Sequence, residues 1–124
     1  MAANKVFRLG PVALSSTLTT NIMNPGTTTG GTNSGTGSSL YIILKHIRIV
    51  NKHASTAATY SLYIGATGAN AAGTEFMGFG RAVAVGGYDE WYGNLRFDVA
   101  DFLVGGSNTA TALTIEAEGE IGIL

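Results

Sequence analysis

The stretch that decides the fold is Leu40-Tyr-Ile-Ile-Leu-Lys-His-Ile-Arg-Ile-Val50. It is rich in β-branched and aromatic side chains, which pack well on a pleated sheet. Apolar and polar residues alternate in its second half, and successive side chains of a strand point to opposite faces. The stretch therefore predicts a strand with one buried face. The side chains predicted to face the core are Tyr41, Ile43, Ile47 and Ile49.

The thirteen residues before this strand, 27–39, have the opposite composition. They are Thr-Thr-Thr-Gly-Gly-Thr-Asn-Ser-Gly-Thr-Gly-Ser-Ser, with no charge and no large apolar side chain. Such a segment buries too little apolar surface to offset the entropy of ordering the chain. It predicts either a flexible tether or a long loop that joins two strands of one core.

Residues 1–26 carry a weaker strand pattern. The run 5–9 is largely apolar and stops at Gly10-Pro11, and Asn24-Pro-Gly26 predicts a turn. This segment predicts either an edge strand or an extended arm that lies on another subunit. In the second case, the rest of the domain would stay folded after residues 1–26 are deleted.

Residues 40–124 predict a β-sandwich domain. Short alternating runs recur about every ten residues with glycine-rich turns between them, and no segment has a convincing helical pattern. Strand 40–51 and the run 59–65 predict an antiparallel hairpin. The other side chains predicted to face the core are Tyr60, Leu62, Ile64, Trp91, Leu95, Phe97, Leu113 or Ile115, Ile121 and Ile123.

The predicted fold class is all-β, an antiparallel two-sheet sandwich or jelly roll with an extended N-terminal arm. A small barrel is the alternative. The organisation that follows is an arm or edge strand over 1–26, a tether or loop over 27–39 and a sandwich domain over 40–124.

Composition narrows the classes of partner. The chain has 124 residues, which is the length of one domain. Its net charge is −1, so it lacks the basic surface of a nucleic-acid-binding protein. It has no cysteine, so disulfides and thiolate metal sites are excluded. The N-terminus resembles no signal peptide, and the longest apolar run, 40–44, is too short to span a membrane. We expect a protein made in a cytoplasm with neither nucleic acid nor membrane as a partner.

The sequence contains no motif that predicts catalysis. The only histidines, His46 and His53, are seven residues apart, so an extended strand would direct them to opposite faces. There is no Gly-x-Ser-x-Gly elbow and no phosphate-binding glycine loop. The acidic pairs Asp89-Glu90 and Asp98/Asp101 lie in or beside predicted turns. We therefore predict a protein that is not an enzyme, with no catalytic residue, no cofactor and no metal ligand.

Two rows of opposite charge are the most informative pattern outside the core. The acidic row is Glu116, Glu118 and Glu120, and the basic row is His46, Arg48 and Lys52. Each row has even spacing and so lies on one face of its strand, where like charges repel. The rows can pair inside one sheet, or they can meet between subunits and set the choice of partner. A solvated face and calcium binding by the acidic row are the alternatives.

Four segments carry a resemblance to a known class of protein. They are Lys-His-Ile-Arg-Ile-Val-Asn-Lys at 45–52, Tyr-Ser-Leu-Tyr-Ile-Gly-Ala-Thr-Gly-Ala-Asn-Ala-Ala-Gly-Thr-Glu at 60–75, Asp-Glu-Trp-Tyr-Gly-Asn-Leu-Arg-Phe at 89–97 and Asp-Phe-Leu-Val-Gly at 101–105. The chain resembles, over roughly residues 40–124, small virion structural proteins of tailed bacteriophages, of the head decoration (cement) type. The resemblance implies a protein on the capsid exterior that binds the major capsid protein, associates as a homotrimer and stabilises the assembled head.

Under this hypothesis, residues of the N-terminal segment and of the two charged rows contact other subunits. The expected contact residues are Val6, Phe7, Arg8, Leu9, Arg48, Lys52, Glu116, Glu118 and Glu120. One alternative is an accessory structural protein of the tail or of the head–tail junction. Another is a jelly-roll module that binds a carbohydrate or receptor through Tyr63, Tyr88 and Tyr92.

Overall fold

A computed structural model describes residues 5–25, 27–28, 40–66 and 72–123. Regular structure within these ranges consists of nine β-strands. They are β1 (Lys5–Ala13), β2 (Asn21–Asn24), β3 (Thr27–Thr28), β4 (Leu40–Asn51), β5 (Ala58–Ala66), β6 (Arg81–Val83), β7 (Tyr88–Phe97), β8 (Asp101–Ser107) and β9 (Leu113–Ile123). None of the described residues belongs to a helix long and apolar enough to cross a membrane.

The strands form two antiparallel sheets. The first sheet has the order β1-β9-β4-β7, and the second has the order β3-β2-β8-β5-β6. The strand pairs of the two sheets are nested along the chain. In the first sheet β1 pairs with β9 and β4 with β7, and in the second β2 pairs with β8 and β5 with β6. This nesting is the topology of a jelly roll, in which one long antiparallel ribbon is folded over into a sandwich. The predicted all-β, two-sheet class is confirmed.

The core lies between the two sheets and is built from the inward side chains of both. Its largest fully buried members are Tyr60, Phe7, Phe97, Leu9, Met23, Ile42, Leu44, Ile47, Ile49, Leu62, Leu103 and Leu113. Full burial of one such apolar side chain contributes about 1.5–3 kcal/mol. Ile64, Trp91 and Leu95 are partly buried and pack against this core. The sequence therefore predicted most of the inward set correctly, and the predicted inward side chain of Ile123 lies outside what the structure describes.

A bulge in β4 explains where the predicted inward set is wrong. Leu44 lies opposite Gly119 of β9 and His46 lies opposite Glu118, so Lys45 is an extra residue on β4. An extra residue reverses the alternation of every side chain beyond it.

The bulge changes which residues of β4 are buried. Ile47 and Ile49 face the core as predicted, whereas Tyr41 and Ile43 point outward. Before the bulge, the inward residues are Ile42 and Leu44. A strict period of two cannot reveal a bulge, so the prediction failed on the N-terminal half of the strand.

β4 and β5 are not a hairpin. β4 pairs with β7 and β9 in the first sheet, whereas β5 pairs with β6 and β8 in the second. Residues 52–57 between them cross from one sheet to the other. Asn51 fixes the start of this crossing, since its buried Nδ2 donates to the carbonyl oxygen of Val83 in β6 at 2.9 Å.

The N-terminal segment is part of the sandwich. β1 is the edge strand of the first sheet and pairs along β9, and β2 pairs with β8 of the second sheet. Phe7 and Leu9 have no exposed surface. The edge-strand alternative describes residues 5–13, whereas an arm lying on another subunit does not. The domain therefore begins at β1 and not at residue 40, and deletion of residues 1–26 would remove Phe7, Leu9 and Met23 from the core.

The glycine- and threonine-rich segment 27–39 joins the two sheets. Thr27 and Thr28 form β3 beside β2, and β4 begins at residue 40 in the other sheet. The rest of the segment predicted as a tether or a loop, residues 29–39, lies outside the described ranges.

Candidate functional site

The outward face of the first sheet, which we call the open face, gathers a large share of the charges of the chain. It carries four of the seven lysines and arginines and four of the eight aspartates and glutamates. The residues of the open face are Val6, Arg8, Tyr41, Ile43, Lys45, His46, Arg48, Val50, Tyr88, Glu90, Tyr92, Arg96, Glu116, Glu118 and Glu120. All of these side chains stand on paired strands, so their spacing is set by the sheet.

The strand register brings the two predicted charged rows together within one sheet. His46 lies opposite Glu118, and Arg48 lies opposite Glu116, across the pair β4–β9. Lys52 lies beyond the end of β4 and is not part of the pairing. Lys45, at the bulge, instead forms an ion pair with Glu120. Such exposed pairs contribute well under 1 kcal/mol each, so their main effect is to order the face.

Glu90 of β7 is the centre of a hydrogen-bonded cluster on the open face. Its Oε2 accepts from the Tyr92 hydroxyl at 2.9 Å and from Arg48 Nη2 at 3.2 Å, and it lies 2.7 Å from His46 Nε2. The contacts to His46 and Tyr92, and then to Arg48, hold the pKa of Glu90 below its usual range. The Tyr92 ring stacks on the imidazole, with ring centroids 4.5 Å apart and planes at 18°. The orientation of His46 is therefore held from two sides.

Two carboxyl groups lie on the other side of His46. One ligand atom from each of His46, Glu116 and Glu118 lies within 4.8 Å of the other two. Oε1 of Glu116 is buried and has no hydrogen-bond partner in the described part of the chain. Burial, and then the charge of Glu118, raises the pKa of Glu116. This site can hold a proton or a cation between its carboxylates.

The remaining predicted contact residues are divided between surface and core. Val6 is 73% exposed, and Arg8 lies on the open face, where its Nε donates to the Gly10 carbonyl at 3.0 Å. Phe7 and Leu9 are wrong as subunit contacts, because β1 turns them into the core.

Asp89 and Glu90 do not act as an acid–base pair, because β7 directs them to opposite sides. Asp89 accepts hydrogen bonds from the Tyr60 hydroxyl and from Arg81 Nε. Burial raises the pKa of Asp89, but the bonds from Tyr60 and Arg81 outweigh it and lower the net pKa. Burial, and then the Asp89 carboxylate, raises the pKa of Tyr60. This cluster connects β7 of the first sheet to β5 and β6 of the second, so its role is to join the sheets.

The sequence did not identify Glu90 and Lys45 as members of the site, and it named Tyr92 only in the carbohydrate-binding alternative. Glu90 and Tyr92 share the parity of Tyr88, which marks them as one face of β7. The sequence does not say that β7 lies beside β4, which is what places that face against His46 and Arg48.

Comparisons of this chain with family models, with curated proteins and with solved structures found no match.

Proposed function

We propose that this protein is a non-enzymatic structural protein of a tailed bacteriophage particle, and specifically a decoration protein that binds the assembled head through its open face. The observation that supports the proposal is the open face itself, an ordered array of charges with exposed tyrosines on a rigid sheet. Jelly rolls are common in viral capsid proteins and lectins, but a fold alone does not set a function. The open face, and not the fold, therefore supports the proposal.

The side chains of the open face suit a protein partner. Tyr88 is 64% exposed and Tyr92 is 70% exposed, and tyrosine and arginine are enriched where proteins bind each other. Arg48 is already held by Glu90, and the guanidinium of Arg96 lies 4.3 Å from the ring centroid of Tyr41. Side chains that are ordered before binding lose little entropy on binding. Charges of both signs favour one orientation of the partner over others.

The resemblance supplies the identity of the partner in this proposal. The major capsid protein would receive the open face on the exterior of the head, and further copies of this chain would complete a homotrimer. The protein would be made in the host cytoplasm and added to a shell that is already assembled. Many weak contacts repeated around the shell would act together through avidity.

A binding experiment with a matched pair of variants tests the proposal. Tyr92 and Phe79 are both 70% exposed, and Phe79 lies outside the open face. We expect Tyr88→Ala/Tyr92→Ala to reduce co-sedimentation with empty heads of the phage at least tenfold, whereas Phe79→Ala binds as the unmodified protein does. Equal binding of all three proteins would contradict the role of the open face. Copy number would distinguish a head protein from a tail or head–tail protein, since hundreds of copies per particle indicate decoration and a dozen or fewer do not.

A carbohydrate-binding module is the second candidate, because Tyr88 and Tyr92 are aromatic and exposed. Tyr63, which we also expected to contact a sugar, is only 5% exposed and cannot present a ring face to a ligand. A glycan array separates the candidates. Glycan binding that disappears in Tyr88→Ala/Tyr92→Ala would support this second function and contradict the first.

A further inference from the structure

We propose that His46, Glu116 and Glu118 form a binding site for one divalent transition-metal ion, of which Zn²⁺ is the representative. The proposal does not depend on the identity of the binding partner. The three residues come from adjacent strands, because His46 of β4 lies opposite Glu118 of β9 and Glu116 is two residues from Glu118 on the same face.

The donor atoms are close enough to be drawn together by an ion. They lie within 4.8 Å of one another, whereas ligands at Zn–N and Zn–O distances of about 2.1 Å in a tetrahedral site are about 3.4 Å apart. We expect rotation of the Glu118 side chain to close most of the difference. Glu118 is exposed, so it has room to rotate.

The buried oxygen of Glu116 is an independent sign that a ligand belongs here. Oε1 is shielded from water and lacks a hydrogen-bond partner in the described residues. A buried acceptor that is left unpaired is destabilising, and native proteins rarely keep one without a reason. A bound cation would satisfy this oxygen and would also offset the repulsion between Glu116 and Glu118.

His46 is oriented in the manner of a metal ligand. A histidine that binds a metal through one ring nitrogen usually donates its other ring N–H to a carboxylate, which fixes the ring. Nε2 of His46 lies 2.7 Å from Glu90 Oε2, and the ring is stacked on Tyr92. Nδ1 would then be the nitrogen that binds the ion.

The chemistry of the donors favours a transition metal over calcium. Ca²⁺ and Mg²⁺ prefer sites made only of oxygen atoms, whereas one imidazole and two carboxylates form a donor set that Zn²⁺ accepts. Three basic side chains are neighbours of the site. Arg48 contacts Glu90 at 3.2 Å and Lys45 contacts Glu120, whereas Arg8, which lies opposite Glu118 on β1, donates its Nε to the Gly10 carbonyl oxygen at 3.0 Å. All three contacts are with acceptors outside the site.

Titration calorimetry with ZnCl2 on the chelator-treated full chain tests the proposal, with Co²⁺ absorption as a spectroscopic check of the ligands. We expect one ion per chain. His46→Gln and Glu118→Gln should each weaken binding at least tenfold. Glu120→Gln, on the same strand face, and His53→Gln, which removes the other histidine, should change it less than threefold.

Several results would overturn the site. They are no saturable binding to the unmodified chain, unchanged binding in both ligand variants, or Ca²⁺ binding as tight as Zn²⁺ binding. Circular dichroism of each variant confirms that it is folded. Because Glu118 is exposed, Glu118→Gln provides the decisive comparison if His46→Gln does not fold.

Discussion

The outward faces of the two sheets are built in opposite ways. In the middle of the second sheet, the outward residues Ser61, Tyr63, Val104 and Gly106 are small or uncharged, and all of them are buried. The open face of the first sheet instead carries eight charged side chains and two exposed tyrosines. Both sheets contribute their inward faces to the same core, so the core does not require this difference. The second sheet uses both faces for packing, whereas the first packs through one face and leaves charged side chains and tyrosines of the other exposed.

The largest effect on the free energy of unfolding should come from β1, which is either an edge strand of the sandwich or an arm on another subunit. Phe7 has no exposed surface, so Phe7→Ala should lower the free energy of unfolding by about 3–5 kcal/mol. Val6→Ala, one residue away and outward, should change it by less than about 0.5 kcal/mol. Urea denaturation measures both values. Equal, small effects would mean that β1 is a dispensable arm after all.

The second test compares the two outward faces directly. A Cβ on Gly106 would lie 2.5 Å from the Ser15 carbonyl oxygen and 2.9 Å from that of Thr17, both backbone atoms. Gly106→Ala should therefore destabilise the protein by about 1–3 kcal/mol. Val50→Ala on the open face should have less than half the effect of Gly106→Ala, because Val50 is already partly exposed. If Gly106→Ala is neutral in thermal unfolding, the second sheet is not closed on its outward side.

The third test concerns the cluster that joins the sheets. The pKa of Asp89 is lower in the folded chain, so its charged form stabilises the fold. That contribution is present above the unfolded pKa of about 3.9 and is lost as the pH falls through the folded pKa. Asp89→Asn should lower stability by about 1 kcal/mol at pH 7 and flatten the loss of stability below pH 4.

A surface aspartate provides the control for this third test. Asp98 is exposed and pairs with Arg96 at 2.9 Å, so Asp98→Asn should change the free energy of unfolding little, both at pH 7 and below pH 4. If the free energy of unfolding falls below pH 4 by the same amount in Asp89→Asn and in the unmodified protein, the proposed role of Asp89 is wrong.

The smallest effect on stability should come from the open face. Arg48 is half exposed and contacts Glu90, and it lies opposite both Glu90 and Glu116. Arg48→Glu removes one exposed ion pair and adds a like charge, so it should lower the free energy of unfolding less than the three changes above. Under the proposed function, the same substitution should impair binding to heads much more strongly, because it reverses a charge on the open face. A loss of several kcal/mol in stability, or unchanged head binding, would contradict this separation of roles.

The parts of the molecule that the sequence predicted well are those governed by local alternation. Leu62, Phe97 and Ile115 are buried as their spacing requires, and the acidic row faces outward. The bulge at Lys45 escaped prediction because an inserted residue leaves no mark in a period of two.

The site could be predicted only in part, because it depends on which strands are neighbours. The acidic row and the basic row were visible in the sequence, and the register of β4 against β9 brings them together. The position of Glu90 was not visible, since it requires β7 to lie on the other side of β4. His46 and Glu116 are separated by 70 residues, so local spacing between histidines could not reveal them as members of one site.

The central claim is that the open face binds the partner, and side-chain footprinting tests it most directly. The protein would be exposed to hydroxyl radicals while free and while bound to empty heads, and the oxidation of each aromatic residue would be measured by mass spectrometry. We predict that Tyr88 and Tyr92 become protected on binding, whereas Phe79, which is 70% exposed outside that face, stays as reactive as in the free protein. Protection of Phe79 with unchanged reactivity of Tyr88 and Tyr92 would contradict the account.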